Sequence, residues 1–148
     1  LYIEEAFLIS KVKREDLNGK VILKTDEKYY IEDHGIREAV IGGNQQNIEL
    51  ILENIVYNQL IRKGYQVYVG KNKDFEVDFV CVHQDKTRSY YQVSYLLASE
   101  ETRKREVRSL LMIEDQYPKY ILSLDDIDFS TQGIHHINLI DFLNLPEA

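Results

Sequence analysis

One cysteine, Cys81, stands in 148 residues, so no internal disulfide can form and nothing in the thiol content points to secretion. With that single cysteine and 4 histidines, no Cys/His cluster of metal-binding spacing is available. Also missing are a bilayer-length apolar run and a signal-peptide pattern, which makes the cytoplasm the expected compartment. No GxxxxGK[ST] phosphate loop occurs; Gly42 to Ile48 and Gly70 to Phe75 are the nearest glycine-containing loops and neither fits. ATP hydrolysis is therefore not expected of this segment. Positive charge is in deficit: 18 Lys and Arg against 25 Asp and Glu give a formal net charge of -7 and a pI near 5.1. Non-specific nucleic-acid binding rests on phosphate neutralisation, so only a local basic patch could supply it. The chain opens on Leu1 and its one methionine is Met112, as expected of a piece of a longer protein.

What is present suffices for a core. Hydrophobic residues make up 44%, and the length suits one domain with a small appendage. The most informative stretch, Phe75 to Leu97, reads as a β-hairpin. Phe75, Val77, Phe79 and Cys81 alternate with Glu76, Asp78, Val80 and Val82, and residues two apart share a strand face. Gln84 to Arg88 is the turn. The return strand places Tyr90, Gln92, Ser94 and Leu96 opposite Tyr91, Val93, Tyr95 and Leu97. An acidic pair, Glu76 and Asp78, thus faces one way on one strand, and a polar pair, Gln92 and Ser94, lies on its neighbour.

Around the hairpin, the pattern predicts strands over Phe7 to Arg14, Lys20 to Lys24 and Lys28 to Ile31, with a turn at Asp16 to Gly19. A short helix is expected from Asp33 or His34 to Val40, where His34 reads as solvated or capping. Gln46 to Lys63 is the longest helix, with Ile48, Leu52, Ile55, Val56 and Leu60 on its apolar face and Gly64 as its stop. Glu53 falls about a quarter-turn from the centre of that face, at the border of a cleft or of solvent. Tyr65 to Val69 is a strand. Ser99 caps a helix running to about Gln116, with Val107, Leu110, Leu111 and Met112 or Ile113 as its buried stripe. Its Arg103, Lys104, Arg105 and Arg108 read as a solvated face, with Glu100–Lys104 and Glu101–Arg105 at favourable four-residue spacing. Tyr117-Pro118 breaks it. A strand over Lys119 to Leu124, a solvated acidic loop (Asp125, Asp126, Asp128), a strand over Ile134 to Asn138 and a helix over Leu139 to Leu143 complete the chain. His135 and His136 point to opposite strand faces, which argues against one shared metal.

The motifs EVDFV (Glu76 to Val80) and YQVS (Tyr91 to Ser94) resemble the restriction-endonuclease-like, or PD-(D/E)XK, superfamily. Leu52 to Gly70, Tyr90 to Glu106, Tyr117 to Asp126 and Lys28 to Gly42 resemble one branch of it more closely. That branch is the domain of unknown function that follows the ATPase module in many bacterial and archaeal AAA-type proteins. The resemblance implies an α/β (α+β) fold with an αβββαβ core, a central mixed sheet flanked by helices. Residues 44–148 would form the nuclease-like domain. Residues 1–43 would form a β-rich segment, either part of a winged helix or a plain β-linker. The resemblance also implies an ATPase module in the parent chain as a partner.

It further implies site positions at Glu53, Asp78, Gln92 and Ser94. Asp78, with Glu53 as a second ligand, would hold Mg²⁺, which prefers carboxylate oxygens. Gln92 stands where such nucleases have Glu, and Ser94 where they have Lys. A neutral amide is a poorer cation ligand, and a serine brings no positive charge to the transition state. Each such loss commonly costs about 10²–10³ in rate, so the site reads as degenerate. Lys71, Lys73 and Lys86 stay open as replacements for the missing lysine. Three functions follow: a non-catalytic domain that binds nucleic acid or senses a partner, a metal-dependent DNA nuclease with a relocated site, and a protein-interaction module. A positive groove around Asp78 would favour the first two; exposed apolar residues in an acidic surround would favour the third.

Overall fold

The structure, a computed structural model, describes residues 8–24, 26–33, 35 and 48–145. The order of elements is β1 (Ile9–Val12), β2 (Arg14–Asp16), β3 (Val21–Ile22), β4 (Lys28–Ile31), α1 (Ile48–Arg62), β5 (Gln66–Asn72), β6 (Phe75–Val82) and β7 (Arg88–Val93). Then follow α2 (Glu100–Leu111), β8 (Lys119–Ser123), β9 (Ile134–Asn138) and α3 (Leu139–Asn144). The helix expected from Asp33 or His34 to Val40 lies outside the described residues, as do Gln46 and Asn47.

Seven strands form one mixed sheet in the order β3-β2-β5-β6-β7-β8-β9. The expected hairpin is present: β6 and β7 pair antiparallel, with Phe79 opposite Tyr91 and Val82 opposite Arg88. β8 and β9 continue the sheet in parallel from β7. The coarse expectation, an α+β domain with a mixed sheet flanked by helices, therefore stands. β2 runs parallel to β5 and pairs with β3 across the Leu17–Lys20 turn, so the N-terminal β-rich segment adds two strands to this sheet. β1 and β4 make a separate two-stranded ribbon. Asn54 of α1 holds that ribbon as a strand partner would, accepting from Ile31 N–H at 2.9 Å and donating to Ile31 C=O at 2.7 Å.

Apolar side chains sort onto two sheet faces. Leu52, Val56, Tyr57 and Leu60 of α1, with Leu139 and Phe142 of α3, pack on Val69, Phe79, Tyr91 and Leu122. Leu110 of α2 and Ile113 pack on Val80, Tyr90, Ile121 and Ile134. α2 is shorter than expected, ending at Leu111, and Leu111 and Met112 are exposed where a buried stripe was anticipated. The buried face instead runs through Glu106, Ser109, Leu110 and then Ile113, a three-to-four-residue spacing that admits two polar residues. Arg105 pairs with Glu106 rather than Glu101, while Lys104 pairs with Glu100 as anticipated.

Strict alternation in β6 fails. Tyr68 pairs with Val80 and Gly70 with Val77, so Asp78 and Phe79 together stand opposite Val69. This is a β-bulge, one extra residue in one strand. It puts Val77 in the same core cluster as Val80 and leaves Phe79 and Cys81 in the other. The expected division of Phe75, Val77, Phe79 and Cys81 from Val80 is thereby corrected. Gly70 pairs with Val77 next to the bulge, and a Cβ there would sit 2.9 Å from Leu17 Cδ2, 3.0 Å from Val80 Cγ2 and 3.1 Å from Val77 Cβ. Gly70→Ala should therefore destabilise the fold by about 1–3 kcal/mol, the usual cost of overpacking. A urea midpoint equal to that of the natural chain would show that the bulged strand relaxes freely.

Candidate functional site

Beyond Phe79 and Tyr91 the β6–β7 ladder stops, and side chains take over its hydrogen bonds. Asp78 Oδ2 accepts from Val93 N–H at 2.8 Å, and Gln92 Oε1 accepts from Asp78 N–H at 3.3 Å. Where the strands part, a cleft of about 360 Å³ opens between the start of α1 and the middle of α2. Glu53, Asp78 and Gln92 line it together, as the sequence pattern anticipated, and Glu106 joins them from α2. Ile48, Leu50 and Tyr95 form its rim, each exposed.

Ser94 is not part of this wall. It is fully buried, its N–H donates to Leu122 C=O and its hydroxyl to Leu96 C=O at 3.4 Å. Lys71, Lys73 and Lys86 do not line the cleft either. Lys71 lies on β5, Lys73 occupies the β5–β6 turn at φ 43°, and Lys86 the β6–β7 turn at φ 69°.

A different lysine reaches the acids. Lys28 of β4 places its Nζ 3.0 Å from Glu53 Oε1 and 2.6 Å from Glu76 Oε1. Tyr30, two residues on, donates its hydroxyl to the same Glu53 oxygen at 2.5 Å while its ring stacks on Tyr57. Arg14 also pairs with Glu76. Lys28 and Tyr30 were not anticipated as site residues. The only sequence signal for them was the alternation in KYYI, which puts the two on one strand face. Glu106 was not anticipated as a site residue; its burial follows from its place one turn before Leu110.

The charges in the cleft act on one another. Burial raises Asp78 well above the ordinary carboxylate range; the Glu53 charge adds to this, and the Val93 N–H bond and Lys28 oppose it. Burial would lower Lys28, but Glu53, Glu76 and Asp78 outweigh it and raise the ammonium's pKa. Glu76 is held below its ordinary value despite burial, because Lys28 and Arg14 bond and attract its carboxylate.

Mg²⁺ fits this donor set poorly. Among the described residues no three His, Cys, Asp or Glu side chains group in a way that could hold a metal. Glu53 Oε1 is already shared by Lys28 and Tyr30, and Asp78 Oδ2 is committed to Val93. A small ion demanding octahedral oxygen ligands finds no cage here.

Beside the acidic cleft, and sharing Gln92 and Glu106 with it, lies a groove of about 490 Å³. Lys104, Arg105 and Arg108 line it, with Arg108 stacked 4.8 Å above the Phe75 ring. Asp74, Glu76 and Glu106 line the same groove and offset that positive charge. No helix among the described residues is long and apolar enough to cross a membrane.

No protein-family model matches the chain, and no solved structure does. An uncharacterized protein of Haemophilus influenzae is 39% identical over 146 residues, which cover 95% of this chain and 34% of that protein. The chain spans about a third of the length of that relative.

The electrostatics give a stability prediction. Asp78→Asn keeps an oxygen for Val93 N–H and removes a buried charge. It should raise stability at neutral pH. The raised Asp78 penalises the natural fold in full above its folded pKa, and the penalty declines as pH falls from there to the ordinary value of 3.8, so the gain should shrink on acidification. Glu76 behaves oppositely: its stabilisation is present above its ordinary value of 4.5 and is lost as pH falls through the depressed value. Lys28→Met should therefore lower stability at neutral pH. Urea midpoints across pH for the three proteins check both signs, and a pH-independent Asp78→Asn effect would contradict the first.

Proposed function

We propose that this chain is a nuclease-like domain without useful cleavage, which serves partner recognition within a longer protein that carries an ATP-binding module. The restriction-endonuclease-like resemblance of its motifs supports the first half of that reading. The observation that carries the second half is the cleft itself: an acidic floor of Glu53, Asp78 and Glu106 inside a rim of exposed Ile48, Leu50 and Tyr95. Apolar residues gathered at an acidic site suit a protein partner better than a phosphate backbone. Cleavage would need a cation to polarise phosphate and a positive group at the transition state. Gln92 is neutral, Ser94 faces away, and Lys28 is spent between Glu53 and Glu76.

A second reading, nucleic-acid binding with or without a relocated nuclease site, is favoured by the Arg108–Phe75 stack, since arginine beside an aromatic ring is a common way to hold a strand. The net charge of -7 and the acids within that groove count against it.

One experiment separates the readings. Single- and double-stranded DNA are titrated with the chain, with Mg²⁺ or Mn²⁺ present, comparing the natural protein, Asp78→Ala and Arg108→Ala. The natural protein should neither cleave DNA nor bind it saturably at physiological salt. Cleavage that disappears in Asp78→Ala would establish the nuclease instead. Saturable DNA binding abolished by Arg108→Ala would establish the second reading.

A further inference from the structure

Resting on the reading of the cleft as a recognition site, we propose that it seats an arginine side chain presented by a partner protein. Asp78 is 9% exposed and lines the cleft, yet only Oδ2 has a partner. Its Oδ1 has no hydrogen bond or ion pair among the described residues. Glu106, 6% exposed, gives Oε1 to Arg105 and leaves Oε2 free, and Glu53, 8% exposed, leaves its own Oε2 free in the same way. A buried acceptor without a donor costs about 1–3 kcal/mol, more when charged, so these oxygens call for donors from outside.

The class of donor follows from the geometry. The free oxygens come from α1, β6 and α2, three separate elements, and do not gather around one point as a metal requires. A guanidinium presents five N–H groups in a planar fork and can serve acceptors spread over several walls. A second ammonium would repeat what Lys28 already supplies to Glu53 and Glu76. The rim matches the rest of an arginine: Ile48 and Leu50 can cover its methylene stem, and the exposed Tyr95 ring offers a face for the guanidinium plane. The acidic balance of the chain selects a basic partner over an acidic one.

The probes are the capped tripeptide acetyl-Leu-Arg-Leu-amide and its counterparts with citrulline or lysine at the centre. Each is titrated to millimolar concentration into the isotope-labelled chain while amide NMR shifts are followed. The arginine peptide should move the Gln92 side-chain amide and the backbone amides of Val93 and Tyr95. The citrulline peptide, equal in shape but neutral, should bind at least about tenfold more weakly, the scale of a lost charge-assisted hydrogen bond. Lysine should fall between them. Glu106→Gln and Asp78→Asn, which keep side-chain shape, should each weaken the arginine peptide, while Glu114→Gln, outside the cleft, should not; an unfolding scan confirms that each variant is folded. Equal binding of the citrulline peptide, shifts confined to residues outside the cleft, no shifts, or indifference to both cleft variants would overturn the proposal. None of these results would restore nuclease activity, which is decided separately by the DNA titration.

Discussion

The hydrogen bond from Val93 N–H to the Asp78 carboxylate is the contact on which the cleft depends. An antiparallel ladder would ordinarily satisfy that amide with a backbone carbonyl of β6. The extra residue at Asp78–Phe79 ends the regular pairing, and the strands part. A buried amide left without an acceptor would make the parting unfavourable. The Asp78 carboxylate replaces the missing carbonyl, and the Gln92 amide oxygen accepts the proton of Asp78's own N–H. Two side chains thus do the work of a strand edge, and the space between them becomes a cleft rather than more sheet. Gly70, next to the bulge on β5, supports this, because a Cβ there would crowd Leu17, Val77 and Val80.

That solution has an electrostatic cost. It places a carboxylate in a buried position next to Glu53 and near Glu106, and the result is a raised Asp78. The fold answers with one ammonium. Lys28 bridges Glu53 and Glu76, and Tyr30 anchors the same Glu53 oxygen while filling the core against Tyr57 and Phe79. The β1–β4 ribbon is therefore part of the site, although it lies outside the central sheet. Its attachment is specific: Asn54, next to Glu53 on α1, binds both polar groups of Ile31. Packing, backbone pairing and charge compensation converge on one turn of one helix.

Much of this was legible in the sequence where local periodicity governs. The hairpin and the order of helices and strands from Ile48 onward follow from spacing and turn chemistry, whereas the choice of Glu53 beside Asp78 and Gln92 comes from the family resemblance. Three things were not. The bulge interrupts a pattern of perfect apparent alternation, because FEVDFVCV offers hydrophobic residues to both faces and does not reveal which register the core prefers. Lys28 and Tyr30 reach Glu53 through a contact between a separate ribbon and α1, and no spacing within the chain encodes that distance. Glu106 and Ser109 are buried because α2 packs by way of Leu110 and Ile113, which recruits the polar residues beside them; the adjacent basic cluster made that face look solvated.

Glu53, Asp78 and Glu106 line the cleft together, and all three are buried carboxylates. Apolar replacement of buried charges is often neutral or stabilising. Yet each of the three is at least nine-tenths buried, and among the described residues each uses one oxygen: Glu53 for Lys28 and Tyr30, Asp78 for Val93, and Glu106 for Arg105. Structural duty alone would be met by an amide, as Gln92 meets its own with a neutral oxygen to Asp78 N–H. The negative charge goes beyond what the hydrogen bonds require. A group of excess charges held on three rigid elements behind an apolar rim is a preorganised surface, and preorganisation contributes to affinity only when something with the complementary charge arrives.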